Sequence, residues 1–338
     1  MRRISLTLVA AVTFAFLQLL VTANSFSAES DAATVSVDFN TKGMPYDAFD
    51  ALPSSKLKIG GGVIEVAFAP GELTLPRAKV IAWITADAQA VTSYYGHFPV
   101  DHVRLLIIPR PGTGVISGTT YGYRGPAIKV SLGRDADEAD LSKDWIMTHE
   151  MVHLAFPVMP DEHDWAAEGI ATYVEPLARI SVGQLSAEKV WGDLVRGLPK
   201  GLPRTEDRGL DHTHTWGRIY WGGALFFLLA DIEIHQRTHN QHSLQDALRA
   251  INAAGGNIAK DIPLDRVFQI GDAATGVPVL TELYQRMEAT PVDVDLTDLW
   301  QRLGVEVHDG AITFNDQAPL ATIRRAITGG ADKTAQSP

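Results

Sequence analysis

Apolar and polar positions follow strand-like patterns in the first part of the chain and helical spacing afterwards. Three apolar or alternating runs, at 63–68, 103–108 and 127–132, predict β-strands. Residues 75–96, between the first two runs, have the spacing of a helix whose first turn contains Pro76. Glycine, proline and threonine dominate residues 109–125 and predict a loop.

From residue 141 the pattern becomes mainly helical. The predicted helices cover 142–156, 165–178, 186–196, 217–237 and 243–253, with further helical turns near 278–288 and 296–302. A hairpin is predicted over 305–314, because Asp309-Gly310 suits a tight turn between alternating segments. Together these elements predict an α+β fold, with a mixed sheet in an N-terminal lobe and a mainly helical C-terminal lobe.

The first 28 residues have the organisation of a secretory signal peptide. Basic residues precede an apolar stretch over 4–21, and small residues follow as far as Ala28. A retained membrane anchor is the second interpretation, since the stretch almost reaches the length of a bilayer span. No later apolar run reaches that length, so we expect a periplasmic or secreted protein without a membrane span once the signal is removed.

The remaining chain divides into one large domain and two peripheral segments. Residues 29–57 are polar and rich in turn formers, which predicts a linker or arm, and 329–338 predict a flexible tail. Residues 58–328 form the predicted domain, with a sheet lobe over 58–140 and a helical lobe over 141–328.

Composition excludes several classes of protein. The 338 residues include 29 basic and 40 acidic side chains, which give a net charge of −11 and argue against nucleic acid as a partner. Cysteine is absent, so a disulfide framework, a thiolate nucleophile and cysteine-ligated zinc are all excluded. Any bound metal must therefore be held by histidine and carboxylate groups.

The segment His149-Glu150-Met151-Val152-His153 is an HExxH motif. Four residues separate the two histidines, so a helix places both imidazoles on one face, where they can reach one metal ion. Glu150 is rotated from His149 by about 100° around the helix. It can act as a general base on a metal-bound water without being a ligand.

A third ligand is expected from the next helix. Glu168 lies in the segment Trp-Ala-Ala-Glu-Gly-Ile-Ala-Thr-Tyr, and two histidines plus one glutamate with an open fourth position are typical of catalytic zinc. His163, ten residues after His153, is the rival third ligand, although its acidic neighbours favour a solvated loop residue. Thr172, one turn after Glu168, either packs or supports that carboxylate.

The order HEMVH followed by WAAEGIATYVE resembles the gluzincin metallopeptidases. Segments 220–234 and 243–248, together with 95–99 and 303–305, are similar to the glycyl aminopeptidase-like branch in particular. The chain differs from that branch in the short spacing of 14 residues between His153 and Glu168. Neither a PDZ module nor a large N-terminal β-domain is recognisable.

The resemblance implies a thermolysin-like zincin domain that binds one zinc ion and hydrolyses peptides or proteins. It assigns His149, His153 and Glu168 as zinc ligands, Glu150 as the base and Tyr220 as the donor to the oxyanion. A core tyrosine is the second interpretation of Tyr220.

In this fold a substrate pairs with an exposed sheet edge beside the zinc. The segments 114–118 and 127–132 are both candidates, and each also reads as an ordinary strand. His235, His239 and His242 have helical spacing but predict a solvated helix end, with a second metal site as the alternative.

We therefore expect an exported zinc peptidase, with the choice between aminopeptidase and endopeptidase left open. The alternative function is a non-catalytic zinc-binding scaffold or regulatory module of the cell envelope. Retention of Glu150 beside both histidines argues against that alternative, since a structural site needs no base and closes its fourth position. A metal-free structural homologue is a third interpretation.

Overall fold

The computed structural model describes residue 39 and residues 41–329. The predicted signal peptide or anchor and all but the first residue of the predicted tail lie outside the described residues. Within the described part of the chain, no helix combines the length and apolar character needed to cross a bilayer.

A five-stranded mixed sheet forms the N-terminal part of the fold. Its strands are β1 (Ser54–Ile59), β2 (Gly62–Phe68), β3 (His102–Arg110), β4 (Val115–Tyr121) and β5 (Ala127–Gly133). They lie in the order β1-β2-β3-β5-β4, with β2, β3 and β5 parallel and the two edge strands antiparallel to their neighbours. The three predicted strands are confirmed as β2, β3 and β5, the central and most buried ones.

Neither edge strand has the extent expected from the sequence, although 114–118, a candidate sheet edge for substrate pairing, overlaps β4. The loop predicted over 109–125 contains β4, whose side chains are partly or largely exposed, so its sequence lacks the apolar run of a central strand. β1 begins within the segment 29–57 predicted as a linker, and the short helix α1 (Tyr46–Asp50) lies entirely within it. Met44, Tyr46 and Phe49 pack on the sheet face that carries Leu106 and Ile108. The folded domain thus begins before the expected boundary at residue 58.

Eleven further α-helices follow α1 in the described chain. They are α2 (Arg77–Tyr95), α3 (Glu138–Lys143), α4 (Ile146–His153), α5 (Asp164–Ser181), α6 (Ala187–Gly197), α7 (Gly223–Arg237), α8 (Leu244–Ala253), α9 (Leu264–Thr275), α10 (Val279–Met287), α11 (Leu296–Leu303) and α12 (Ala321–Ile327). A π-helical turn, Arg218–Gly222, precedes α7. The hairpin β6 (Val305–His308) and β7 (Ala311–Phe314) is as predicted, with positive φ at Asp309 and Gly310.

The helix predicted over 142–156 is interrupted at Asp144. Its carboxylate oxygens accept hydrogen bonds from the backbone N–H groups of Ile146 and Met147, each at 3.0 Å. This side chain satisfies donors at the start of α4, so a new helix begins there. The HExxH motif therefore occupies a helix of its own, held at its N-terminus by a buried carboxylate.

Helix α5 is the central element of the helical part and packs against both α4 and α7. Gly169 allows its close approach to α7, because a Cβ atom there would lie 2.4 Å from the backbone carbon of Gly223. Trp165 and Tyr173 on the same helix are fully buried. This packing fixes the face of α5 that is turned towards the HExxH helix.

Candidate metal centre

The structure brings His149, His153 and Glu168 together. The two histidines lie on α4 and Glu168 lies on the second turn of α5. His149 Nε2 is 3.1 Å and His153 Nε2 is 3.5 Å from Glu168 Oε2. One ligand atom from each of the three residues lies within 4.8 Å of the others. Among the described residues, this is the only group of three or more such side chains that meets this spacing.

The spacing and chemistry of these atoms fit zinc. For zinc bonds of about 2.0–2.1 Å at tetrahedral angles, ligand atoms lie about 3.3 Å apart, close to both distances from Glu168. Burial raises the pKa of Glu168, but hydrogen bonds with His149 and His153 outweigh that effect and hold the pKa well below its usual value. The carboxylate is thus anionic at neutral pH, as a ligand must be.

Glu150 is held against the edge strand β4. The Thr120 hydroxyl lies 2.7 Å from Glu150 Oε2 and 2.8 Å from the Glu150 backbone oxygen, and it can donate to either acceptor. Gly118 makes the contact possible, because a Cβ atom there would lie 2.5 Å from Glu150 Cγ. The contacts of these two residues with Glu150 could not be predicted from the sequence, since 109–125 has the composition of a loop and the contacts join distant segments.

Loss of the Thr120 hydroxyl is expected to disturb Glu150. If the peptide hydrolysis expected from the sequence takes place at this site, Thr120→Val should lower its kcat about tenfold, because a hydrogen bond to a charged group contributes about 1.5–3 kcal/mol. Zinc content should remain at the wild-type value. Thr119→Val is the matched control, since the Thr119 hydroxyl donates to the Gly118 backbone oxygen and not to Glu150. Equal kcat values for the two variants would contradict this role of Thr120.

Tyr220 lies in the π-helical turn and borders the same site. Its ring is nearly parallel to the His149 ring, with centroids 6.2 Å apart, and it stacks on Trp216 at 5.5 Å. Burial raises the pKa of the Tyr220 phenol, and the negative charge of Glu168 raises it further. The phenol therefore stays protonated at neutral pH and can donate a hydrogen bond.

A cleft of about 500 Å³ opens over these residues. β4 borders it with residues 116–120, and Glu150, Glu168 and Tyr220 also line it. Of the two segments considered for substrate pairing, 127–132 lies inside the sheet, where β5 pairs with both β3 and β4. The other candidate, 114–118, overlaps the edge strand β4 beside Glu150.

The remaining histidines of interest are not part of this group. His163 Nε2 lies 3.1 Å from Tyr284 Oη and 3.4 Å from Asp211 Oδ2, and only 15% of its side chain is exposed. The expectation of a solvated loop residue is therefore wrong, and His163 is not in the metal-binding group. His235 is likewise buried and lies 3.6 Å from Asp231, whereas His239 is exposed.

A cluster of buried acids lies behind the HExxH helix. Asp87, Asp144 and Glu175 are all buried, with one buried guanidinium, Arg179, which donates to Glu175 at 2.8 Å. Burial and the nearby charge of Asp144 raise the pKa of Asp87 to about 8. The folded protein therefore retains a proton on Asp87 that the unfolded chain releases above its ordinary pKa of 3.8.

This retained proton predicts a pH-dependent stability. Between about pH 4 and pH 8 the folded state binds more protons than the unfolded state, so Asp87 makes stability fall as pH rises. We compare the free energy of unfolding of Asp87→Asn with that of the wild type at each pH. The difference, variant minus wild type, should be more positive at pH 8 than at pH 5 by at least about 1 kcal/mol. Denaturant unfolding at both pH values measures this. The exposed control Asp101→Asn should show no such difference, and an equal effect of Asp87→Asn at both pH values would contradict the prediction.

Comparison with known proteins reveals relatives at the level of fold. No protein-family model and no curated protein matches the sequence. An aminopeptidase N family protein from Idiomarina loihiensis has a similar structure, with a TM-score of 0.52 and 13% identity over 76% of this chain and 50% of that one. A mutant M1 zinc metallopeptidase from Deinococcus radiodurans, bound to a Tyr-Ser-Ala substrate, aligns at a TM-score of 0.47 and 14% identity, over 72% and 53% of the two chains.

The likeness to the Idiomarina protein establishes a shared fold at low sequence identity. The mixed sheet and the helical part that follows it are consistent with that shared fold, and the α+β prediction is confirmed at this level. The chain spans about half the length of the solved structures that it matches. Assignment to the glycyl aminopeptidase-like branch stays a prediction.

Proposed function

We propose that this chain is an exported zinc-dependent peptidase, with His149, His153 and Glu168 as the ligands of one zinc ion. The observation that carries the proposal is the convergence of these three side chains, which line the same open cleft as Glu150. A purely structural zinc site needs neither an adjacent carboxylate nor access from the cleft. Export and a periplasmic or secreted location rest on the N-terminal sequence pattern.

Zinc at these ligands would supply a Lewis acid that lowers the pKa of a bound water and polarises a peptide carbonyl. Glu150 takes the proton of the attacking water and passes it to the leaving amine. A hydrogen bond from the Thr120 hydroxyl keeps the Glu150 carboxylate in one orientation. The protonated phenol of Tyr220 donates a hydrogen bond to the carbonyl oxygen as negative charge develops there.

The substrate is a peptide or protein segment in an extended conformation. β4 offers its free edge along the cleft, and main-chain pairing with that edge aligns the scissile bond beside Glu150. Three carboxylates line the cleft, those of Glu150, Asp164 and Glu168, and its lining contains no lysine or arginine. This arrangement suits a substrate that brings no negative charge into the cleft itself.

Digestion of a defined peptide library, with products identified by mass spectrometry, tests the proposal. We expect cleavage by the zinc-loaded protein, loss of cleavage after chelation and recovery on addition of zinc. The positions of the cleaved bonds report whether the enzyme trims N-termini or cuts internally. Stoichiometric zinc without cleavage of any peptide would contradict the proposal and favour the scaffold alternative. Absence of zinc would favour the metal-free homologue.

A further inference from the structure

A second cavity, of about 560 Å³, lies on the other side of Tyr220 from the cleft. The two cavities share Trp145, His149 and Tyr220 as a common wall. Helices α5 and α6, Lys200 and the π-helical turn form the rest of the second cavity. The second cavity is therefore a compartment directly beside the candidate metal centre.

The charge of the second cavity is opposite to that of the cleft. Its lining contains five lysine or arginine side chains and two carboxylates, namely Lys143, Arg179, Lys189, Arg196 and Lys200 against Glu175 and Asp193. The acidic residues are each engaged by basic neighbours within the cavity wall. A surplus of positive charge at one place is unexpected in a chain with a net charge of −11. Such a surplus attracts an anionic group.

Two lysines in the wall are available to that group. Neither Lys143 nor Lys200 forms an ion pair with any residue that the structure describes, and both are exposed. The Lys200 ammonium lies 5.9 Å from the ring centroid of Trp216 and 5.6 Å from that of Trp221. The ammonium thus lies beside these two tryptophan rings and remains accessible to a ligand in the cavity.

An aromatic wall, formed by Trp145, Trp216 and Trp221, adds an apolar surface beside these cations. Trp216 is 59% exposed and Trp145 is 50% exposed, although tryptophan normally buries most of its large ring. Both rings border the second cavity, and Trp216 stacks on Tyr220. A ligand that combines an apolar stem with a negative charge therefore matches the cavity better than a simple anion does.

A row of neighbouring side chains runs from the candidate metal centre to Lys200 in the wall of the second cavity. The His149 ring lies 6.2 Å from Tyr220, Tyr220 lies 5.5 Å from Trp216, and Trp216 lies 5.9 Å from the Lys200 ammonium. An extended peptide advances about 3.3–3.6 Å per residue. A group a few residues from the scissile bond can therefore reach Lys200.

We propose that this cavity is a specificity subsite for a carboxylate of the peptide substrate, bound by Lys200 and Lys143 beside the aromatic wall. The inference rests on the proposed peptidase function and extends it to the class of substrate. The carboxylate can be the C-terminus of a short peptide or the side chain of an aspartate or glutamate. Both sources present the same chemistry to the two lysines, and matched peptides distinguish them.

The test uses hexapeptides, each with a free and with an acetylated N-terminus, bound to zinc-loaded Glu150→Gln protein, so that binding is measured without turnover. In one set of peptides a single glutamate occupies each position in turn, and a matched peptide has glutamine at the same position. Each peptide is prepared both as the free C-terminal acid and as the C-terminal amide. Calorimetric titration of the Glu150→Gln protein gives Kd. The kcat/KM for the same peptides is measured in parallel with protein that retains Glu150. We expect at least one carboxylate to improve Kd about tenfold at low ionic strength and less at high salt.

Two variants assign this preference to the cavity. The double substitution Lys143→Met and Lys200→Met keeps the apolar stems and should abolish the preference while neutral peptides bind as before. Lys58→Met, on β1 at the far edge of the sheet, is the matched control and should retain the full preference. Tighter binding of the free acid than of the amide identifies a C-terminal carboxylate as the ligand. Tighter binding of the glutamate peptide than of the glutamine peptide identifies a side-chain carboxylate.

The inference is overturned if no carboxylate changes Kd, or if the double variant keeps the wild-type preference. Peptide cleavage without any carboxylate preference would leave the proposed function intact and remove the subsite. Carboxylate-selective binding without cleavage of any peptide would have the opposite meaning, because it supports the subsite and contradicts the peptidase proposal.

Discussion

Replacement of Glu150 by glutamine is expected to lower kcat about 1,000-fold, within the 10²–10⁴ range typical of general acid–base groups. The amide has nearly the same shape as the carboxylate and its oxygen can still accept the hydrogen bond from Thr120. It cannot take a proton from water at neutral pH. Zinc should remain bound, because His149, His153 and Glu168 are unchanged.

Two measurements separate this loss from a general defect. Steady-state hydrolysis of a library-derived peptide gives kcat, and metal analysis gives the zinc content of the same preparation. Glu162→Gln is the matched control, since Glu162 is an exposed carboxylate in the segment between the ligand helices and should leave kcat unchanged. Near-wild-type kcat in Glu150→Gln would exclude Glu150 as the base.

Removal of the Glu168 carboxylate is expected to weaken zinc binding more than 100-fold. Loss of an outer-shell partner already costs about 10–100-fold in metal affinity, and loss of a direct ligand must cost more. In Glu168→Ala the two histidines remain on α4, but the anionic atom 3.1 and 3.5 Å from them is lost. Hydrolysis should disappear together with the zinc.

Competition with a chromophoric chelator measures the change in zinc affinity. His163→Ala is the informative control, because His163 was the rival ligand in sequence and its ring contacts Asp211 and Tyr284 in the structure. This variant should bind zinc as the wild type does. Wild-type affinity in Glu168→Ala, or loss of zinc in His163→Ala, would show that the third ligand is wrongly assigned.

The residues predicted from sequence are those whose positions depend on local geometry. A helix places His149 and His153 on one face whatever surrounds it, so their four-residue spacing was sufficient. Glu168 required one more element, the following helix, and its motif identified it. The central strands were predicted for a similar reason, since burial on both faces leaves a continuous apolar run in the sequence.

The features missed from sequence depend on contacts between distant segments. Thr120 lies 30 residues from Glu150, and only the pairing of β4 at the edge of the sheet brings its hydroxyl to that carboxylate. His163 was expected in solvent because its sequence neighbours are acidic, but the partner that buries it is Asp211. Side-chain pairs of this kind leave no periodic signal in the sequence.

Diffraction data collected on both sides of the zinc absorption edge test the central claim most directly. We predict one anomalous peak, within about 2.0–2.2 Å of His149 Nε2, His153 Nε2 and a carboxylate oxygen of Glu168, with one coordination position open to the cleft. A peak held by other residues, or no peak at these three side chains in crystals grown with zinc, would contradict it.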